Sequence, residues 1–205
     1  MYQLLILGFS VVLHEIAHGL VAYWLGDPTA KNLGRLSVNP LVHVDPLGTV
    51  ILPGVLLVSG AGFLIGWAKP VPIDTRYFKK PSRDMMIVAI AGPLTNVFLA
   101  FLAAVLFRGY LGLNLDLTQN SVFILTVLQY AVVINLVLAV FNLIPIPPLD
   151  GSRILAFFLS QRLQERYMSV EPYGFLIILA LSYFDLLSLL LQAVVGPFLW
   201  LFLGF

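Results

Sequence analysis

The chain has 205 residues, of which 60% are hydrophobic and only 10% charged, with a mean hydropathy of +0.98. A soluble domain carries about 25% charged residues, so this composition excludes one and implies an integral membrane protein. A formal net charge of +1 without a basic stripe leaves no case for nucleic-acid binding, and the absence of cysteine excludes disulfides and thiolate metal sites.

The first predicted element is the apolar stretch 2–25, YQLLILGFSVVLHEIAHGLVAYWL, longer than the about 20 residues a spanning helix needs. It has no basic leading region and no small-residue cleavage site, so it reads as a retained helix rather than a signal peptide. His14, Glu15 and His18 lie in its middle, where each charge costs at least about 2.5–3.5 kcal/mol. Their spacing supplies a reason. His14 and His18 are i and i+4 and leave one helix face together, at a separation that suits two imidazole ligands of zinc. Glu15 is placed beside them to act on water as a base rather than to bind the ion. This is the H-E-x-x-H arrangement of zinc peptidases.

Residues 26–46, GDPTAKNLGRLSVNPLVHVDP, are broken by Gly26, Pro28, Gly34, Pro40 and Pro46 and read as loop. His43 and Asp45 within it read as a solvated or backbone-bonded pair near the membrane edge. Residues 47–66 are apolar but interrupted by Pro53-Gly54 and Gly60-Ala61-Gly62, so they form either a broken span or a re-entrant segment. The loop 67–83, WAKPVPIDTRYFKKPSR, is the most basic. Its Pro70-Val71-Pro72 predicts extended backbone, an edge onto which an unwound substrate strand could add.

Residues 84–107 predict a span with Asp84 as N-cap, containing Ala91-Gly92-Pro93 and Asn96. Small residues there let neighbouring helices approach, and Asn96 either bonds between helices or helps hold substrate. After a short link, 108–120, comes a further span, 121–144. It runs into PIPPLDGSRIL, residues 145–155, where three prolines forbid an ordinary helix. An amphipathic piece, 152–168, precedes a last apolar run, 173–205, read as two short membrane segments meeting near Asp185. The expected fold is therefore an all-α polytopic membrane protein. It is one domain over 1–205, with its core in 1–155, five to six membrane segments and short extended or hairpin pieces in its loops.

Two histidines do not complete a catalytic zinc site, which usually has three protein ligands. The extended pattern with a third histidine fails, since Val21 and Trp24 stand where glycine and histidine belong. Asp150 is the best candidate, because it sits where a span stops in a proline-stiffened turn; His43, the remaining histidine, is the next.

HEIAH in the first apolar helix, AGPLTN in a middle one and NLIPIPPLDG closing a later one together resemble the site-2 protease family of intramembrane zinc metalloproteases. The WAKPVP and GRLSVNPLVHVDP stretches are similar to its compact branch without a PDZ domain. The resemblance implies one catalytic zinc held by His14, His18 and Asp150, with Glu15 as the base and Asn142 positioning substrate or oxyanion. It implies a membrane-protein substrate cut within or near its transmembrane helix. The rival reading is a membrane metal carrier or sensor using the same His/His/Asp cluster without hydrolysis, for which Glu15 has no use.

Topology follows from the positive-inside rule. If 47–66 crosses, the N-terminus is cytoplasmic. If it turns back, every Lys and Arg except Arg108 falls on one side, the N-terminus is external, and the helices bearing His14 and Asp150 run parallel with both motifs toward the cytoplasm. The Pro53-Gly54 break favours the re-entrant arrangement. The expected location is the plasma membrane with the active site toward the cytoplasmic side.

Overall fold

The computed structural model describes residues 2–59, 66, 68–113 and 118–204, and no strand occurs among them. The helices are α1 (Tyr2–Trp24), α2 (Thr29–Asn32), α3 (Leu52–Ser59), α4 (Pro81–Gly112), α5 (Gln119–Asn142), α6 (Asp150–Phe157), α7 (Gln161–Met168), α8 (Gly174–Tyr183) and α9 (Leu186–Leu203). Of these, α1, α4, α5 and α9 are long and apolar enough to cross a bilayer. The extended or hairpin pieces expected in the loops form no strand among the described residues. Short 3-10 turns take Pro40–His43 and Thr75–Tyr77 instead, with Asn39 and Asp74 each accepting a backbone N–H two residues ahead.

The spans start where local chemistry dictates. Pro81 opens α4, since a proline at the first helical position gives up an N–H that has no partner anyway. Asp84 therefore does not cap the helix as expected. It lies inside the first turn and its carboxylate accepts the Lys80 N–H at 2.9 Å. Thr118 caps α5 by accepting the Ser121 N–H at 3.2 Å. Between α8 and α9, Asp185 adopts a left-handed conformation, φ 57°, which aspartate tolerates better than most residues. It makes the junction expected between two apolar segments.

Ring contacts fix the helix directions. Tyr2 packs on Phe123 and Tyr130, with centroids 5.9 and 5.7 Å apart, so α1 and α5 begin at the same end and run parallel. Along α1, His14 bonds to Asn96 and His18 to the Val88 carbonyl. The order is reversed on α4, which is therefore antiparallel. At the far end of α4, Arg108 donates to the carbonyls of Leu201 and Phe202 at 2.7 and 2.8 Å, closing the C-terminus of α9. Ala100, Ala103 and Ala104 of α4 let α5 and α9 approach closely. Val132, Leu136, Val195 and Leu203 fill that contact together with Phe107.

Antiparallel packing of α1 on α4 returns the chain to the side it left. The two flanks of the intervening segment also meet, since Lys69 N–H donates to the His43 carbonyl at 2.9 Å. A net crossing by 47–66 would separate these atoms by the bilayer thickness, about 30 Å. The described helical part, a π-helical turn Pro46–Ile51 followed by α3, rises only about 21 Å. Its end at Ser59 is followed by residues 60–65, which lie outside the described residues. The two flanks therefore lie together, which supports the re-entrant reading that the Pro53-Gly54 break favours.

The loops beside these flanks are stitched by buried charges. Asp27 is fully buried and accepts the N–H groups of Thr29 and Asp74 at 2.9 and 2.8 Å. A buried carboxylate needs such donors, because losing water without replacing its hydrogen bonds costs several kcal/mol.

Candidate metal centre

Three side chains converge between α1, α4 and the start of α6. His14 Nε2 and His18 Nε2 are 3.0 Å apart, and Asp150 Oδ2 lies 3.2 and 3.3 Å from them. The histidines are only 6% and 7% exposed. The i,i+4 spacing in α1 aims both imidazoles at α4. The turn between α5 and α6 brings the carboxylate in from a distant part of the chain. His43, the other candidate third ligand, is elsewhere: it is buried, and its Nε2–H donates to the Ser37 carbonyl at 2.9 Å.

The outer ring nitrogens decide what the inner ones can do. His14 Nδ1–H donates to Asn96 Oδ1 at 2.6 Å, and His18 Nδ1–H donates to the Val88 carbonyl at 2.7 Å. Both protons are then on the outer nitrogens, so both Nε2 atoms present lone pairs to each other and to the carboxylate. Asp150 Oδ2 is buried without a hydrogen-bond donor. Three lone pairs facing one another repel unless a cation sits among them. Tetrahedral zinc with ligands at 2.0–2.1 Å would hold its donors about 3.3–3.4 Å apart, close to the spacing here. Two imidazoles and one carboxylate also match a catalytic zinc donor set, so the residues fit the ion.

The supporting structure is specific. Asn96 is fully buried and its own N–H donates to Asn135 Oδ1 at 2.9 Å; Asn135 in turn donates to the Ala131 carbonyl. This chain across α4 and α5 holds Asn96 with its oxygen toward His14. Asn96 thus makes interhelical bonds, one of the two alternatives the sequence left for it, and orients the His14 ring. Pro93, one residue beyond Gly92, has no N–H, which loosens the helix bonding next to the carbonyl that His18 uses. Gly92 itself admits the imidazoles: a β-carbon there would overlap His18 Nε2 and lie 2.5 Å from His14 Nε2. Gly151 plays the same part for Asp150, since a β-carbon would run into the Leu143 carbonyl. The turn itself is tied to α7, whose Tyr167 hydroxyl donates to the Pro145 carbonyl at 2.7 Å.

Glu15 lies beside the cluster and its Oε2 accepts the Val71 N–H at 2.8 Å. Asn142 is half-buried, and its amide donates to the Leu138 carbonyl one turn back, at 2.9 Å; no bond joins it to the histidines among the described residues. The edge expected on 67–83 is committed internally. Lys69, Val71 and Asp74 donate to His43, Glu15 and Asp27, while Pro70 and Pro72 have no N–H to offer. Asn135, Gly92 and Val88 were not singled out as parts of the site by sequence. Asn135 carried a signal, because a polar side chain inside an apolar span is a functional candidate by default. The Val88 carbonyl carried none.

Residues 2–119 and 113–183 match peptidase family M50. The chain is similar to three proteins named "Putative zinc metalloprotease": YwhC of Bacillus subtilis, Rip2 of Mycolicibacterium smegmatis and MJ0611 of Methanocaldococcus jannaschii. Identity to the first is 40% over 183 residues, 88% of this chain and 79% of that protein. To the second it is 31% over 173 residues, 84% and 62% of the two chains. To the third it is 32% over 153 residues, 75% and 68%. No solved structure matches. The family match along most of the sequence and the 40% identity to a relative covered over 79% of its length agree with the buried His/His/Asp cluster: this chain belongs to peptidase family M50, the site-2 protease family of zinc metallopeptidases.

Proposed function

We infer that this metallopeptidase cleaves a peptide bond within or near the transmembrane helix of another membrane protein, as in regulated intramembrane proteolysis. The observation that carries the reading is the placement of the cluster: His14 and His18 lie within α1 and bond to α4, and both helices are long and apolar enough to cross a bilayer. A substrate reaching them from the membrane would be a helix rather than a soluble loop. A bound zinc would lower the pKa of coordinated water from 15.7 toward about 7 and polarise a carbonyl.

The chain's own groups supply the proton handling. Glu15, with Oε2 held by Val71, takes a proton from the attacking water through Oε1 and passes it to the leaving amine. The substrate helix must unwind locally, because its carbonyls are otherwise occupied by helical hydrogen bonds. Asn142 remains a candidate for contacting substrate with the part of its carboxamide not bonded to Leu138. Glu15 also argues against a metal carrier, which needs ligands but no base beside them.

The re-entrant arrangement puts every Lys and Arg except Arg108 on the side where α1 and α5 end. By the positive-inside rule that side is cytoplasmic, which supports an active site nearer the cytoplasm and an external N-terminus. Substituting Glu15→Gln tests the mechanism. Zinc content should stay at one ion per chain, while cleavage of a fusion protein carrying one transmembrane helix falls by about 100-fold to 10,000-fold. Cleavage near the wild-type rate would remove Glu15 from its role.

A further inference from the structure

Arg35 is 7% exposed, yet no carboxylate pairs with it among the described residues. Its Nη1 donates to the Val42 carbonyl at 2.6 Å, and its Nη2 donates to the carbonyls of Lys69 and Pro70 at 2.6 and 3.2 Å. Burying a guanidinium is unfavourable unless its donors are matched; here both terminal nitrogens are matched while Nε has no partner among the described residues, and the planar fork suits several fixed acceptors at once. These acceptors are not scattered. Val42 precedes the re-entrant segment, and Lys69 and Pro70 follow it. The next residue along, Val71, is the one whose N–H meets Glu15.

We propose that Arg35 is a positioning residue for proton transfer at Glu15. It clamps the Lys69–Val71 strap to the His43 turn, so that the Val71 N–H holds Glu15 Oε2 and leaves Oε1 directed at the water. The strap is suited to this and little else. Pro70 and Pro72 stiffen it on either side of the single N–H that Glu15 uses, and Lys69 is anchored through its own N–H to His43. Asp27 fixes the far end by accepting the Asp74 N–H. Arg35 therefore acts on Glu15 through the backbone and touches no reacting atom. The inference rests on Glu15 being the base.

The test uses the full-length zinc-loaded protein and a fusion protein with one transmembrane helix that the wild type cleaves. Val71→Pro deletes the N–H from the strap. Val71→Ala shortens the same side chain but keeps the N–H. The expected kcat of Val71→Pro is about tenfold to 100-fold below that of Val71→Ala, with KM changed less than about twofold and zinc content equal. Arg35→Ala should show a similar loss in kcat, with faster hydrogen exchange at the Lys69 and Val71 amides, and Arg35→Lys should restore part of it. The double variant Arg35→Ala, Val71→Pro should be no slower than the worse single, because both act through one bond. Equal kcat for the two Val71 variants, multiplicative losses in the double variant, or loss of zinc from either single variant would overturn the proposal. A Glu15→Gln protein that cleaves normally would instead refute the role of Glu15 itself.

Discussion

Asn96 accepts the Nδ1 proton of His14 at 2.6 Å and thereby dictates that Nε2 carries the lone pair turned toward His18 and Asp150. An imidazole free to choose its tautomer would present the wrong nitrogen part of the time. Partners of this kind also raise ligand basicity, and removing them typically lowers metal affinity about 10-fold to 100-fold. Asn96→Ala should weaken zinc binding by that factor in competition with a chelator, while helix content measured by circular dichroism stays unchanged. Asn135→Ala should show a smaller loss, since it acts on His14 only through Asn96. Zinc affinity equal to wild type in Asn96→Ala would show that the ring is oriented by something else.

Gly92 predicts a different failure. A methyl group at this position meets both imidazoles, and overpacking of a tight site costs about 1–3 kcal/mol. In Gly92→Ala the histidines must rotate or α1 must move away from α4. Either disrupts the metal site, although alanine is the better helix former. The expected result is substoichiometric zinc in a protein that remains helical. Full zinc occupancy would mean that α4 shifts without effect on the ligands.

Asp150→Ala should lose the ion outright, because two imidazoles alone leave an open site. Asp150→Asn separates charge from position: it keeps the shape but replaces a carboxylate with a weaker neutral ligand, so zinc should bind less tightly than in wild type and more tightly than in the alanine variant. His43→Ala should retain zinc, since the bond from that ring goes to Ser37. Metal analysis of the three purified variants checks the ligand set.

Topology can be tested with single cysteines, because the native chain has none. Tyr2 marks the start of α1, and Asn32 lies in α2 beyond its other end. In intact cells a membrane-impermeant thiol reagent should label Tyr2→Cys and spare Asn32→Cys until the membrane is opened. The reverse pattern would put the basic loops outside and contradict the charge distribution.

Several of these features were legible in the sequence because they are local. An i,i+4 pair shares a helix face whatever the rest of the chain does, so His14 and His18 could be joined, with Glu15 beside them, from one stretch alone. Apolar length likewise announces spans, and four helices long enough to cross stand among the expected segments. Helix starts are less legible. Asp84 looked like an N-cap, but Pro81 was available three residues earlier and its backbone was already suited to the first turn.

Long-range facts required the fold. Choosing Asp150 over His43 depends on which of them reaches α1, and only the packing of the turn after α5 decides that. Asn96 could have faced substrate, lipid or a neighbouring helix; it faces His14 because α4 runs antiparallel to α1. The return of the chain around 47–66 is expressed in one bond between His43 and Lys69, whose partners no local pattern connects. The roles of Arg35 and Val71 are of the same kind, since backbone acceptors and donors carry no residue-type signature. The sequence by itself determined the chemistry that was available, through residue types and helical period. The tertiary structure alone decided which of those groups meet, because backbone carbonyls, amides and side chains far apart along the chain acquire partners only when the helices pack.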